Sequence, residues 1–149
     1  MKVLILWLLL YPIIPPVEGS LCTSEVKDFD GFRYPEQIAH CKRNVSTRKK
    51  DQICLRDGVY DRTYFTVDHL IPLAIGGSNK DDNLWCQHKD IAVTELEYKL
   101  YLELRSGTIS QRLAITRMLD AKFNRYAMYY SRYLGPYRTN FSKVFDIEF

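Results

Sequence analysis

The residues best suited to chemistry are an adjacent acid and imidazole, Asp68-His69, followed by a glycine-rich bend, Gly76-Gly77-Ser78-Asn79, and then by Asn83 in Asn83-Leu84-Trp85. Hydrolysis of a phosphodiester needs a water made nucleophilic, positive charge near the phosphate and leaving oxygen, and a group that holds the base in one orientation. A neutral imidazole, with an ordinary pKa of about 6.5, takes a proton from water near neutral pH, so His69 suits the base. Asn83 suits the fixing of geometry: its amide can tie together the two arms that flank the bend, or accept the imidazole N–H. Neighbouring strand side chains point to opposite faces, so Asp68 and His69 serve one site only where the strand bends or ends. Ile71-Pro72 supplies a reason for it to end.

These residues need elements to hold them. Tyr64 to Leu70 is rich in β-branched and aromatic residues and is expected to be a strand, with Leu73-Ala74-Ile75 as a second short strand or its approach, making a hairpin-like unit. After Asn83 the pattern turns helical, with Val93, Leu96, Leu100 and Leu104 as one buried stripe that ends near Ser106-Gly107. Ser110 is placed to cap a further helix that carries Leu113, Ile115, Leu119 and Phe123 toward Tyr133, before Gly135-Pro136 stops it. Upstream, Ser46 caps a helix from about Thr47 to Asp57, with Gly58 at its end and Ile53 and Cys54 facing inward. From Leu21 to Arg43 the chain reads as irregular, with a turn at Asp28-Phe29-Asp30-Gly31 and a short helix opened by Pro35.

The first twenty of the 149 residues read as an export signal: Lys2, an apolar run from Val3 to Leu10 that continues through Ile14, and small residues at Val17 and Gly19. That run is short of the roughly 20 residues a spanning helix needs, and Pro12 interrupts it. The expected layout is therefore a signal peptide over 1–20 and one domain over 21–149, in a secreted or periplasmic protein with no stable membrane association once the signal is removed. There is no repeat, low-complexity stretch or Gly/Ser/Pro-rich linker to divide the remainder. Cys22, Cys41, Cys54 and Cys86 are an even number in an exported chain, so two disulfides are expected; of the three possible connectivities, Cys22–Cys41 with Cys54–Cys86 is favoured. The absence of paired Cys-x-x-Cys knuckles argues against a separate structural zinc of that type. The net charge is +3, and removing Lys2 and Glu18 with the signal leaves it unchanged, a mild basicity that permits a polyanionic partner without specifying one.

The segment Val67-Asp68-His69-Leu70-Ile71-Pro72-Leu73, Gly76-Gly77-Ser78-Asn79 and Asn83-Leu84-Trp85 resembles the HNH motif of the ββα-metal, or His-Me finger, nucleases, and in particular small HNH-like proteins with this pattern. A looser likeness extends to Cys41-Lys42-Arg43-Asn44-Val45-Ser46, Leu96-Glu97 and Ser106-Gly107-Thr108-Ile109-Ser110, covering roughly half of the chain after the signal. The resemblance implies an α+β fold in which a ββα-metal finger is embedded in additional helices, as a single disulfide-stabilised domain. It implies a secreted metal-dependent endonuclease of low sequence specificity, with His69 as general base, Asp68 as a metal ligand and Asn83 as the middle letter of the motif. A further ligand should come from the following helix. No good ligand stands at the family's usual offset, so His88 is the first choice, with Asp90 and Glu95 behind it. Mg²⁺ is the expected ion, with Mn²⁺ or Zn²⁺ as alternatives, a His ligand shifting the balance toward the latter two.

The expected partner is nucleic acid, DNA ahead of RNA. Arg43, with Arg48, Lys49 and Lys50 close by in sequence, forms a basic cluster, and Lys80 and Lys89 flank the motif; Arg43, Lys80 and Lys89 are the candidate phosphate contacts. Arg125, Tyr126, Tyr129, Tyr130, Arg132, Tyr133, Tyr137 and Arg138 interleave charge with rings able to stack on bases. The alternative from another class is a catalytically inactive secreted module on the same fold that binds nucleic acid or protein.

Overall fold

The structure, a computed structural model, describes the backbone of residues 19–134 and the side chains of residues 19–129. Most of the expected signal peptide, the stop at Gly135-Pro136, Tyr137 and Arg138 lie outside the described residues, as do the side chains of Tyr130, Arg132 and Tyr133. Among the described residues the fold is α+β, with two small antiparallel sheets, three α-helices and two disulfides. No helix among them is long and apolar enough to cross a membrane.

The chain enters along the loop that carries the glycine-rich bend. Gly19 N–H donates to Asp82 C=O, Ser78 N–H to Ser20 C=O and Cys22 N–H to Gly76 C=O, while the Ser20 hydroxyl meets Ser78 Oγ and Asp82 Oδ1. Strands β1 (Phe29–Arg33) and β2 (Ile38–Cys41) then form a hairpin, where the sequence suggested irregular chain and a short helix from Pro35. Its strands are short, a bulge interrupts the register between Phe29 and Phe32, and its turn runs through Tyr34 and Gln37 at positive φ, so neither alternation nor a familiar turn pair announces it. The Cys22–Cys41 bridge ties the entering chain to the end of β2.

Helix α1 (Thr47–Arg56) begins as anticipated, with the Ser46 hydroxyl accepting from Lys49 N–H and with Ile53 and Cys54 buried. Strand β3 (Phe65–His69) pairs antiparallel with β4 (Leu84–His88), from Phe65 opposite His88 to His69 opposite Leu84. Two expectations are corrected here. Leu73–Ile75 is a single 3₁₀ turn and not the partner strand, and the segment immediately after Asn83 is strand and not helix. The reason is burial on both faces. Leu84 and Cys86 pack with Val67, Ile53 and Cys54 on the side of α1, while Trp85 joins a larger core with Leu70, Ile71, Ile91 and Leu100 on the other. A strand covered on both sides has no polar face, and Leu84-Trp85-Cys86 therefore shows no period of two.

After a 3₁₀ turn at Lys89–Ile91, helix α2 (Thr94–Ser106) buries Leu100 and Leu104 and ends on Gly107 at φ 71°. Helix α3 (Gln111–Leu134) starts where Ser110 Oγ accepts from Leu113 N–H. Its buried stripe is Ala114, Ile115, Met118, Leu119, Lys122 and Tyr126, whereas Leu113, expected inside, is 40% exposed. The Tyr126 ring lies 5.6 Å from Trp85, which joins α3 to the back of β4. Each large apolar side chain fully buried in this way contributes about 1.5–3 kcal/mol.

The favoured cysteine pairing is the one formed, and Cys54–Cys86 links α1 to β4 across a separation of 32 residues. Replacing both Cys54 and Cys86 by Ala should lower the unfolding free energy by about 3–4 kcal/mol, because the unfolded chain regains the entropy of that open loop. Urea unfolding of the variant beside the wild type measures it; a loss under about 1 kcal/mol would mean that the α1–β4 contact holds without the bridge.

Candidate active site around His69

His69 closes β3 with its ring turned inward and 3% exposed. Its Nε2 lies 3.0 Å from Asn79 Oδ1, and Asn79 Nδ2 donates to the Asp28 carboxylate and, at 2.7 Å, to Lys42 C=O. With both amide protons spent on oxygen acceptors, Oδ1 must accept, so Nε2 carries the imidazole proton and Nδ1 carries the lone pair. No hydrogen bond among the described residues engages Nδ1. Burial pushes the His69 pKa below its ordinary value, Arg43 and Lys122 act in the same direction, and the bond to Asn79 and the charge of Asp68 oppose them. The ring is therefore neutral at pH 7, as a base must be.

Asn83 has the first of the two roles open to it. Fully buried, it accepts from Ile71 N–H at 2.9 Å and donates to Ile71 C=O at 2.9 Å and Ser78 C=O at 2.8 Å, while its own carbonyl accepts from Leu70 N–H. The amide thus clamps the loop between β3 and β4, and Asn79 holds the imidazole. The glycine at 77 is required by the same clamp, because a Cβ there would sit 1.7 Å from Ile71 O.

Asp68, on the opposite face of β3 from His69, is bonded by the ammonium of Lys122, which also donates to the His69 carbonyl. Glu97, half-buried on α2, has its carboxyl pKa pushed up by burial and by the charge of Asp68, against the pull of Lys122 and Arg43. Arg43 is exposed and acts electrostatically on both His69 and Glu97. Lys122 thus ties Asp68 to the His69 backbone, and Glu97 and Arg43 are coupled to them through charge alone; Glu97 and Lys122 were not anticipated as site residues. The signal for Lys122 is a lysine in register with the apolar positions Ile115, Met118, Leu119 and Tyr126 of α3. Asn79 stood inside the recognised bend without a role.

His88 is not brought to this group. It ends β4 three places beyond Trp85, the partner of Asp68, hence about 10 Å away along the strand. Its ring stacks 4.6 Å from Tyr129 and 6.2 Å from Tyr64, edges against Phe65 at 5.1 Å, and Nδ1 accepts from Asp90 N–H. Asp90 and Glu95 are exposed. Among the described residues no three His, Cys, Asp or Glu side chains converge as metal ligands, and the Asp68 carboxylate is bonded by an ammonium. Of the candidate phosphate contacts, Lys80 is exposed beside Asn79, while Lys89 lies at the far end of the sheet with Nζ donating to Thr63 C=O. No family model, curated protein or solved structure matches the chain.

Asn83→Ala should destabilise the protein by about 3 kcal/mol or more, because three buried backbone groups lose their partner together; thermal or urea unfolding reads it, and a near-neutral variant would mean that water replaces the amide. The two shifted groups give opposite pH dependences. For His69 the folded pKa is depressed, so the unfolded chain binds more protons and stability is lost as pH falls below about 6.5. For Glu97 the folded pKa is raised, so its contribution is lost as pH rises above about 4.5. Glu97→Gln should therefore leave a steeper loss of urea midpoint between pH 6.5 and 5 than in the wild type; an unchanged slope would contradict the buried, shifted Glu97.

Proposed function

We propose that this protein is a secreted endonuclease that hydrolyses phosphodiester bonds of DNA, and secondarily RNA, with low sequence specificity and with His69 as general base. The observation that supports it most is the single tautomer imposed on His69: Nε2–H committed to Asn79, and Nδ1 open with its lone pair. The order β3, long clamped loop, β4 and α2 is read here as the ββα finger of the HNH nucleases, with Asn83 as its brace.

In the proposed reaction a water oxygen adds to phosphorus as its proton passes to Nδ1 of His69. The P–O ester bond then breaks, and the leaving alkoxide takes a proton from solvent. Arg43, exposed and near enough for its charge to act on His69 and Glu97, holds the phosphate, and Lys80 extends the basic path; a guanidinium suits this because it bonds two phosphate oxygens at once. A chain with two disulfides and this site would act in an oxidising compartment outside the cytosol.

A binding module that has kept the fold without turnover is the second reading, favoured by the distance of His88 from Asp68. Cleavage of supercoiled plasmid and of single-stranded DNA and RNA, each with Mg²⁺, Mn²⁺, Zn²⁺ or EDTA, separates the two. Nicking is expected, and His69→Ala should lower its rate by about 10²–10⁴-fold while the far-UV circular dichroism stays native. The rate should rise with pH to a plateau, with a midpoint below 6.5, since the neutral imidazole is the active form. Binding that survives His69→Ala without any cleavage would support the module instead.

A further inference from the structure

Lys122 is the one charged residue in the buried stripe of α3, and it is 2% exposed. An ammonium placed among Met118, Leu119 and Tyr126 loses its hydration, so a leucine or methionine there would be the more stabilising choice unless specific partners offset the cost. The partners are the Asp68 carboxylate and the His69 carbonyl, both at the end of β3 that presents the base. A carboxylate oxygen and a backbone carbonyl are hard oxygen donors of the kind a Mg²⁺ or Mn²⁺ ion would use. Here an ammonium already occupies them.

We infer that Lys122 is the resident cation of this site: its ammonium takes the place at Asp68 that a divalent ion would take, so the protein binds no such ion there and cleaves phosphodiesters without one. Lys122 is buried and acts through Asp68 and the His69 backbone, which makes it a positioning residue; the cation that touches the phosphate is Arg43. The catalytic half of this inference rests on the endonuclease reading, and the metal-binding half does not.

Two measurements on the oxidised protein test it. The first is electron paramagnetic resonance of free Mn²⁺ during titration with wild type, Lys122→Met, Lys122→Arg and Lys122→Met/Asp68→Asn. Wild type and Lys122→Arg should leave the Mn²⁺ signal unchanged, Lys122→Met should take up the ion, and adding Asp68→Asn should abolish that uptake. The second is plasmid cleavage in EDTA. Wild type should cleave undiminished, whereas Lys122→Met should lose about tenfold or more and regain activity with Mn²⁺, and Lys122→Arg should keep more of the rate than Lys122→Met, as expected when a fixed charge is removed and then replaced. Stoichiometric Mn²⁺ uptake by wild type that Asp68→Asn removes, or wild-type cleavage abolished by EDTA, would overturn the inference. If Lys122→Met fails to fold, as judged by its melting curve, the wild-type arms still decide. If no protein cleaves under any condition, the endonuclease reading fails, while the Mn²⁺ titration still decides the place of Lys122.

Discussion

A loop that leaves a buried strand and returns as its neighbour carries peptide groups into a region without water, and every one of them needs a partner. Here the side chain of Asn83 supplies three of those bonds and its carbonyl a fourth, closing the loop between β3 and β4 at its base. The end of β3, the turn at Leu73–Ile75, the approach of Gly77 to Ile71 and the position of Asn79 all follow from that closure. His69 owes its orientation to Asn79, so the candidate base depends on Asn83 although the two side chains do not touch.

The charges around the candidate base include one buried ion pair. Lys122 is paired with Asp68, and the charges of both, with that of the exposed Arg43, act on Glu97. Burial keeps the imidazole uncharged, with Arg43 and Lys122 acting in the same direction and the charge of Asp68 against it.

The sequence made parts of this legible for clear physical reasons. Ser46, Gly107 and Ser110 mark helix ends because caps act locally, and the cysteines paired as favoured. Strand β4 and the β1–β2 hairpin were not legible. The first is buried on both faces and so lacks alternation, and the second is too short and too irregular in its turn to outweigh Gly31 and Pro35. A helix after Asn83 would carry His88 toward the site, whereas His88 ends the sheet in an aromatic stack. Lys122 meets Asp68 only through tertiary packing, which no local spacing encodes, and the charge of Asp68 reaches Glu97 the same way.

Because Asn83 bonds both the N–H and the C=O of Ile71, the loop between them is in effect a ring whose circumference is set by residue count. Added or deleted residues between Pro72 and Asn79 would pull Gly77 off Ile71 or Asn79 off the imidazole, so length variation there should be purged wherever the site is under selection. Lys80, Asp81 and Asp82 are less enclosed, with Lys80 and Asp81 facing solvent, and they are where lineages could lengthen this ring and alter what it meets.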